Sequence, residues 1–581
     1  MAISHEQLLL SIPEHLRQFV VEQNYDRYTS RDQAVWRYIM RRNLSFLKKH
    51  AHPAYFDGLK KTGISADRIP DIGEMNDALS KIGWRAVVVD GFIPPAAFME
   101  FQMHKILVIS AEIRTIQHIL YTPAPDIVHE AAGHAPIIAD EQYSRFLQKV
   151  GEYGSKAFSS KLDYEIYEAI RYLSIIKEYP DASEEDLVRA EKELSKKIAA
   201  NTAPSEATLL SRLHWWTVEY GLIGTADDFK IYGAGLLSSV GESKNCLNPI
   251  VKKLPLAINT VNYNYDITKE QPQLFIAHNW THLNQVLEEF ADSMCFRTAS
   301  VECINTAIDS KNVATVELSS GIQVSGKFNK VITNSENQAV YIETIGKTAF
   351  SFKNVEIENQ GIDHHPDGAG FPVGKLINTG IPLEDFADSE LQKLAQDDQR
   401  IRLPYESGMV VTGKLKQTIR KNGKIILLRF TDFHISSPGE ESLSPHQSAH
   451  YDMAVGERIV SVFSGSADKT RFNVMPPKSE KKAIPIEYSD EELQLFEWYQ
   501  IVRQMRESNK FDYGVLKSIF YKIAENYTLE WLLPLEIYEL LQLNRIKKDV
   551  FVLGIYSHLN ELKKFSTEYE MIISAGMDLL E

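Results

Sequence analysis

The sequence has few cysteines and no excess of positive charge. Its 581 residues include only three cysteines, and Cys246, Cys295 and Cys303 do not have the spacing of a zinc finger. We therefore expect a reducing compartment and no disulfide bonds. The formal net charge of −15 argues against nucleic acid and against an anionic membrane surface as the main partner.

Long hydrophobic runs are missing as well. No stretch approaches the roughly 18 consecutive apolar residues that suit a membrane helix. Residues 1–19 contain only the short apolar run Leu8–Leu10, which does not have the pattern of a secretory signal. We expect a cytoplasmic protein with no membrane partner. A hydrophobic fraction of 44% is typical of globular proteins, and the length allows about two to four domains.

Two histidines and two carboxylates lie close together in the stretch 125–136. Pro125 and Asp126 indicate the start of a helix, with Asp126 as its N-cap. Gly133 and the proline that follows it at 136 indicate the end of the same helix. On a continuous α-helix His129 and His134 would point about 140° apart. We therefore expect His134 to lie where the backbone leaves the helix, so that both imidazoles can reach one metal ion.

Two metal-site patterns compete for these histidines. The metalloprotease pattern H-E-x-x-H has two residues between glutamate and the second histidine, whereas three residues separate Glu130 from His134. That spacing disfavours a zinc hydrolase with Glu130 as its base. The other pattern is two histidines and a distant carboxylate, which is the facial triad of non-haem Fe(II) oxygenases and leaves coordination positions open.

Glu219 is the best candidate for the distant carboxylate. The stretch 205–221 predicts a helix with a capping start at Ser205 and a glycine stop at Gly221. Its apolar and aromatic residues recur three or four apart, so the helix should be buried. A buried Glu219 beside that stripe would need a partner, and an iron ion would be one.

Three motifs follow one another along the chain. They are Pro125-Asp126-x-x-His129-Glu130-x-x-Gly133-His134-x-Pro136, Trp216-Thr217-Val218-Glu219-Tyr220-Gly221-Leu222 and Tyr232-Gly233-Ala234-Gly235-Leu236-Leu237-Ser238-Ser239. In this order they resemble the pterin-dependent aromatic amino acid hydroxylases, and most of all the bacterial phenylalanine 4-monooxygenases. The similarity extends from about Asp26 to about Met294, and a long C-terminal extension lies outside it.

This resemblance implies a monooxygenase that uses Fe(II) and tetrahydrobiopterin or a related tetrahydropterin, with an aromatic amino acid and dioxygen as substrates. His129, His134 and Glu219 would bind the iron. L-Phenylalanine to L-tyrosine is the first choice of reaction, and hydroxylation of tyrosine or tryptophan is the nearest alternative, because pocket shape sets ring selectivity. A zinc hydrolase and an inactive scaffold are the alternatives from other classes.

The resemblance also implies roles for residues around the metal. Phe98 would stack on the pterin and Glu130 would contact it, although by themselves they would be a core aromatic and a first-turn glutamate. Arg114 would bind the substrate carboxylate, which a guanidinium does through two parallel hydrogen bonds. The family usually has Tyr at the position of His214, which is either near the iron or an ordinary histidine. The amino acid pocket would include Thr122, Pro125, Trp215 and Ser238, with Asp126 and Glu242 as supporting residues.

The remainder of the chain has a different sequence pattern. We expect a mainly α catalytic domain of the aromatic amino acid hydroxylase type in residues 1–300, a β-rich region in 301–474 and a helical C-terminal domain in 483–581. The β-rich region contains a repeat, Ser320-Gly321-x-x-Val324-Ser325-Gly326-Lys327 and Ser407-Gly408-x-x-Val411-Thr412-Gly413-Lys414, which predicts two related units. The turn 364–368 is either a minor metal site or a surface turn. The C-terminal part would serve self-association or a protein partner.

Overall fold

The computed structural model describes residues 5–120, 125–177, 183–239, 241–267, 270–395, 400–438, 443, 450–475, 488–546 and 549–580. Helices dominate the first half of the chain, as expected. They are α1 (His5–Leu10), α2 (Ser30–His50), α3 (Ala54–Thr62), α4 (Ile72–Leu79), α5 (Pro95–Met103), α6 (Ala135–Ile138), α7 (Glu141–Gly154), α8 (Lys161–Lys177), α9 (Glu184–Ala200), α10 (Glu206–His214), α11 (Ala234–Ser238), α12 (Glu242–Asn245) and α13 (Trp280–Ala291).

Two small sheets accompany these helices. One has the order β1-β2-β3, with β2 and β3 parallel, and the other has the order β5-β4-β7-β6. The apolar residues 86–89 lie in the buried strand β2, which leads into the loop before α5. The strands are β1 (Val20–Val21), β2 (Arg85–Val89), β3 (Ile106–Ser110), β4 (Leu222–Gly224), β5 (Phe229–Ile231), β6 (Lys252–Pro255) and β7 (Gln273–Ala277).

The expectation of strands from about residue 301 is wrong for the first ten residues. They form a helix because Val301, Ile304 and Ala307 recur at helical spacing and are all buried. Strands begin at Val313. The elements of this part are α14 (Cys295–Thr298), α15 (Val301–Ser310), β8 (Val313–Leu318), β9 (Ile322–Thr333), β10 (Ala339–Phe352), β11 (Val355–Glu356), β12 (Gly370–Pro372), α16 (Asp388–Lys393), β13 (Arg400–Pro404), β14 (Val410–Lys421), β15 (Lys424–Ser436), β16 (Tyr451–Ala454) and β17 (Ile459–Ser464).

The two copies of the sequence repeat open equivalent long hairpins. The first copy enters β9, which pairs antiparallel with β10, and the second enters β14, which pairs antiparallel with β15. Gly321 and Gly408 precede the two strands with φ of 88° and 85°, a conformation that glycine adopts without the steric cost of a side chain. The hairpins belong to different sheets, ordered β11-β10-β9-β8-β17 and β13-β14-β15-β16.

The C-terminal helices pack on the first half of the chain. Tyr38 in α2 donates a hydrogen bond to the carbonyl of Ile572 at 2.6 Å, and its ring packs edge-on against Trp531. These contacts are within one chain and give no support to the expected role in self-association or partner binding. The helices are α17 (Asp490–Ser508), α18 (Tyr513–Asn526), α19 (Leu532–Leu543), α20 (Val550–Leu562) and α21 (Thr567–Asp578).

The expectation of no disulfide is wrong. Cys295 in α14 and Cys303 in α15 are joined by a disulfide, with their Cα atoms 5.3 Å apart, whereas Cys246 is free and buried. The two short helices meet at Ala299, which turns the chain with a φ of 48°. Cysteine spacing alone does not reveal such a turn. In the described part of the chain, every helix is too short or too polar to cross a membrane.

Candidate metal centre

A π-helix presents the two predicted histidine ligands. Residues Val128–His134 wind as a π-helix, in which the amide of Ala135 donates to the carbonyl of Glu130, five residues earlier, and the chain continues directly into α6. The expectation that the helix ends near Gly133 is therefore wrong. Five residues make slightly more than one π-turn, so His129 and His134 share a face without leaving the helix.

A second π-helix presents the carboxylate. The helix α10 passes into a π-helix at Trp215–Glu219, where the amide of Tyr220 donates to the carbonyl of Trp215 at 2.9 Å. The predicted N-cap is confirmed, because the Ser205 side chain accepts from the amide of Thr208. Glu219 is thus the last residue of a wider helical turn.

The three predicted ligands converge. His129 Nε2 lies 3.3 Å from Glu219 Oε2, His134 Nε2 lies 3.3 Å from Glu219 Oε1, and the two Nε2 atoms are 3.1 Å apart. Burial alone would raise the pKa of Glu219, but His134 and His129 outweigh it and hold that pKa well below its usual range. Two imidazole nitrogens and one buried carboxylate aimed at one point are a donor set that suits a divalent transition metal.

Ser238 fixes the orientation of His129. Its Oγ lies 3.1 Å from His129 Nδ1 and donates to the carbonyl of Ala234 at 2.8 Å. His129 Nδ1 therefore carries the proton and donates to Ser238, which leaves Nε2 free to face the centre. Gly133 allows this arrangement, because a Cβ there would meet the carbonyl oxygen of Ala234 at 2.6 Å.

Glu130 is a buried carboxyl beside the metal ligands. Its Oε2 lies 3.8 Å from His134 Nε2, and this oxygen has no hydrogen bond to the described residues. Burial raises the pKa of Glu130 to about 8, with the Glu219 charge adding to the effect and His134 opposing it. Burial thus favours the neutral form of this carboxyl, which faces the cleft.

Phe98 and His214 lie on one side of the metal centre. Phe98 is half-buried in α5 and lines the cleft that contains His129 and Glu130. The ring of His214 packs edge-on against Phe98 with 6.1 Å between centroids, and its Nε2 lies 3.5 Å from Nε2 of Gln102. Burial lowers the pKa of His214 to about 4, so its imidazole is neutral. His214 therefore belongs to the cleft and not to the protein surface.

Arg114 lines the same cleft and forms a buried ion pair with Asp126. Arg114 donates through Nε and Nη2 to the two oxygens of Asp126, each at 2.8 Å, while Nη1 takes no part in this pair. Asp126 also accepts from the amide of His129 at 3.0 Å, so it links the arginine to the metal site. Pro125 is exposed and lines the cleft. Thr122 lies outside the described residues.

Trp215 is held between two tyrosine rings. It stacks on Tyr265 with 4.3 Å between centroids and on Tyr220 with 4.7 Å. Tyr265 could not be predicted from the sequence, because a single tyrosine in a loop has no periodicity. Gln102 could not be predicted either, because a glutamine in a helix does not reveal which histidine it meets. Glu242 is nearly fully buried, and burial raises its pKa to about 8, with Glu270 adding to the rise.

The second histidine cluster is an ion-pair network. His364 and His365 approach Asp452 Oδ2 at 3.2 and 3.9 Å, but Arg429 occupies both oxygens of that carboxylate through Nε and Nη2 at 2.7 Å. A guanidinium in this position repels a metal cation. The turn interpretation of residues 364–368 is therefore favoured over the metal-site interpretation.

Comparison with known proteins places the first half of the chain in one family. Residues 21–165 and 190–319 match the model of the biopterin-dependent aromatic amino acid hydroxylases. The phenylalanine-4-hydroxylase of Chromobacterium violaceum is 29% identical over 231 residues, 40% of this chain and 63% of that relative. The phenylalanine-4-hydroxylase of Mesorhizobium japonicum is 29% identical over 290 residues, 49% of this chain and 86% of the relative.

A solved structure that is similar over the same region can be compared with this chain. It is the Chromobacterium violaceum phenylalanine hydroxylase with bound iron(III) and 7,8-dihydrobiopterin, which is 25% identical, covers 48% of this chain and 88% of that chain, and has a TM-score of 0.37. The Chromobacterium relative is matched over less than two thirds of its own length. The matched segments, which end at residue 319, place the N-terminal half of this chain in the biopterin-dependent aromatic amino acid hydroxylase family.

Proposed function

We propose that this protein is a phenylalanine 4-monooxygenase that uses Fe(II) and a tetrahydropterin to convert L-phenylalanine to L-tyrosine. The observation that carries the proposal is the meeting of His129, His134 and Glu219 within 3.3 Å of one another. The phenylalanine-4-hydroxylase names of the relatives support phenylalanine as the substrate. Tyrosine and tryptophan remain the alternative substrates.

The residues of the cleft have distinct tasks in this proposal. His129 and His134 would hold Fe(II) as neutral donors, and Glu219 would supply the single negative charge, which leaves other positions of the metal free. Bound iron and tetrahydropterin together supply the activation of dioxygen and the two electrons that the reaction consumes. The protein contributes the relative placement of ring, pterin and metal.

Each substrate would meet a separate wall of the cleft. Phe98 would stack on the pterin, and the Glu130 carboxyl would contact it through a hydrogen bond. Arg114 would bind the amino acid carboxylate with the nitrogen that Asp126 does not use, and Trp215 would pack against the aromatic ring. Ser238 would keep His129 in the orientation that binds metal.

The division of the chain into a catalytic domain at 1–300, a β-rich region at 301–474 and a helical domain at 483–581 is part of this proposal, as is a cytoplasmic location. Cell fractionation with an antibody against the full-length protein tests the location. Limited proteolysis followed by mass spectrometry tests the boundaries, because domain junctions are preferred cleavage sites.

The direct test uses the full-length protein. After anaerobic loading with Fe(II), turnover of L-phenylalanine, L-tyrosine and L-tryptophan is measured with 6-methyltetrahydropterin and dioxygen, and bound iron and zinc are determined by mass spectrometry. We expect tyrosine formation from phenylalanine and about one iron per chain. Glu219→Ala should lose both the iron and the turnover, whereas Glu185→Ala, at an exposed glutamate of α9, should lose neither.

The proposal is overturned if the protein binds no iron. It is also overturned if the iron-bound protein hydroxylates none of the three amino acids. Preferred turnover of tyrosine or tryptophan would keep the reaction class and change the substrate. Tight zinc with hydrolytic activity would favour the hydrolase alternative instead.

A further inference from the structure

A segment of the β-rich part reaches the catalytic half of the chain. Residues 465–475, which we call the strap, follow directly after β17 and lie outside the family match, which ends at residue 319. The amide of Ser464 donates to the carbonyl of Lys156 at 3.0 Å, just after α7, and the amide of Ala467 donates to Ser325 Oγ at 2.9 Å in β9. The strap is therefore fixed to both parts of the molecule at its start.

Lys469 of the strap joins two helices of the catalytic half. Its Nζ donates to Glu100 Oε2 in α5 at 3.1 Å and to the carbonyl of Ser155, just after α7, at 3.2 Å. The Glu100 side chain is only 3% exposed. His15 Nε2 lies 2.8 Å from the other oxygen of Glu100, and its Nδ1 lies 3.3 Å from Thr470 Oγ1. The strap thus contacts Glu100 directly and again through His15.

The strap also forms part of the cleft wall. Lys469 and Met475 line the cleft that contains Phe98 and His129. Met475 packs on the same apolar cluster as Phe98 and Ile93, the latter in the loop before α5. A segment beyond the family match therefore contributes side chains to the cavity that the metal ligands face.

The position of α5 decides where Phe98 stands. Glu100 is two residues after Phe98 in this short helix. The helix α5 packs tightly on α7, since a Cβ at Gly151 would lie 2.5 Å from the backbone of both Met99 and Met103. Glu100 lies next to this face of α5, so its contacts with Lys469 and His15 hold the helix beside α7.

From this arrangement we infer that the strap completes the pterin side of the catalytic cleft, and that Lys469 is a positioning residue that holds α5 and Phe98 for stacking on a reduced pterin. The inference rests on the proposed function, because it names the ligand that Phe98 receives. It assigns to the β-rich part a role in cofactor binding.

The test compares pterin affinity with the other two binding events. Binding of 6-methyltetrahydropterin to the full-length, Fe(II)-loaded protein is measured by anaerobic titration calorimetry. We expect Lys469→Met to weaken pterin binding about tenfold, while bound iron and the affinity for L-phenylalanine stay unchanged. Lys469→Arg, which keeps the charge beside Glu100, should recover affinity to within about twofold of the wild-type protein.

Two further variants separate positioning from stability. Lys424 Nζ lies 3.3 Å from Oε1 of the buried Glu384, and this ion pair does not line the cleft. Lys424→Met should therefore leave pterin affinity unchanged. Lys469→Met removes the positive charge beside the buried Glu100 carboxylate, and this loss lowers the stability of the fold. The double variant Glu100→Gln with Lys469→Met removes that charge, so its Tm should recover while pterin binding stays weak. This double variant carries the test if the single variant does not fold.

Unchanged pterin affinity in Lys469→Met overturns the inference, as does full recovery of affinity in the double variant. A parallel loss of iron, amino acid and pterin binding also overturns it, because that pattern indicates general destabilisation. A wild-type protein that binds neither Fe(II) nor pterin instead overturns the proposed function. If the wild-type protein binds both Fe(II) and pterin, and no Lys469 variant changes pterin affinity, only the role of the strap is overturned.

Discussion

Arg37 and Glu539 form a buried ion pair that joins the long helix α2 to the C-terminal helix α19. Arg37 Nη1 donates to Glu539 Oε2 at 2.6 Å and Nη2 donates to Oε1 at 2.7 Å, and the two side chains are 6% and 5% exposed. Glu536 accepts from the same guanidinium at 2.8 Å. The C-terminal helices are therefore attached to the N-terminal half of the chain by buried charges as well as by apolar contacts.

Arg37→Met should destabilise the whole protein. It leaves Glu539 and Glu536 buried beside fewer positive charges, and breaking a buried pair in this way costs about 3–5 kcal/mol. Urea unfolding followed by circular dichroism measures the change. The matched variant Arg68→Met breaks the exposed pair with Glu74 and should cost no more than about 1 kcal/mol. Equal effects of the two variants would contradict the importance of the buried pair.

Ser238→Ala should weaken iron binding with little effect on stability. The variant removes the hydroxyl that accepts from His129 Nδ1, and loss of such a supporting contact lowers metal affinity about 10- to 100-fold. Competition between the protein and a chromogenic Fe(II) chelator gives the dissociation constant. Ser195→Ala removes an exposed hydroxyl in α9 and serves as the control. Wild-type iron affinity in Ser238→Ala would show that Ser238 does not orient the ligand.

Gly133→Ala should reduce both thermal stability and iron content. The added Cβ would lie 2.6 Å from the carbonyl oxygen of Ala234, so α11 and the first π-helix must separate. Gly554→Ala is the matched control, because the same methyl group in α20 finds its nearest neighbour at 4.0 Å. In that control the free energy of unfolding should rise by about 0.5–1 kcal/mol, because alanine has a better helix propensity than glycine. A Gly133→Ala protein with wild-type Tm and iron would disprove the tight packing.

Glu242→Gln should stabilise the protein more at pH 8 than at pH 5. Burial raises the pKa of Glu242 from 4.5 to about 8 in the folded chain. Between these values the carboxyl is neutral in the folded state and ionised in the unfolded state, so folding stability falls as pH rises, by up to about 1.4 kcal/mol per pH unit. Glutamine cannot ionise and so removes this loss.

Urea unfolding of wild-type and Glu242→Gln protein at pH 5, 6, 7 and 8 measures this difference. The exposed Glu185→Gln serves as control and should show a constant difference from wild type across the series. A stability gain in Glu242→Gln that does not grow with pH would show that Glu242 is ionised in the folded protein.

The meeting of His129, His134 and Glu219 could be predicted from the sequence, but the backbone that brings them together could not. Residue types and motif order identified His129, His134 and Glu219. The π-turns were missed because helix patterns in a sequence are judged against a period of 3.6 residues. The same limit explains why the sequence left the position of His214 open. His214 precedes Glu219 by five residues, so the two residues share one side of the second π-helix.

Contacts between distant segments were equally invisible in the sequence. Nothing local indicates that Lys469 meets Glu100, since each is an ordinary charged residue in its own segment. The pairing of Arg114 with Asp126 needs both loops to be folded. The disulfide depends on the turn at Ala299. Local propensity predicts helices and strands, whereas such pairings follow from tertiary packing.

The first π-helix has a consequence for the identity of the metal site. Deleting either Ala131 or Ala132 would convert this stretch into His-Glu-Ala-Gly-His, the zinc-binding pattern of α-helical metalloproteases. The two histidine spacings therefore differ by a single alanine. The π-helix accommodates this alanine and keeps both imidazoles on one face. Motif searches restricted to α-helical intervals will overlook centres built in this way.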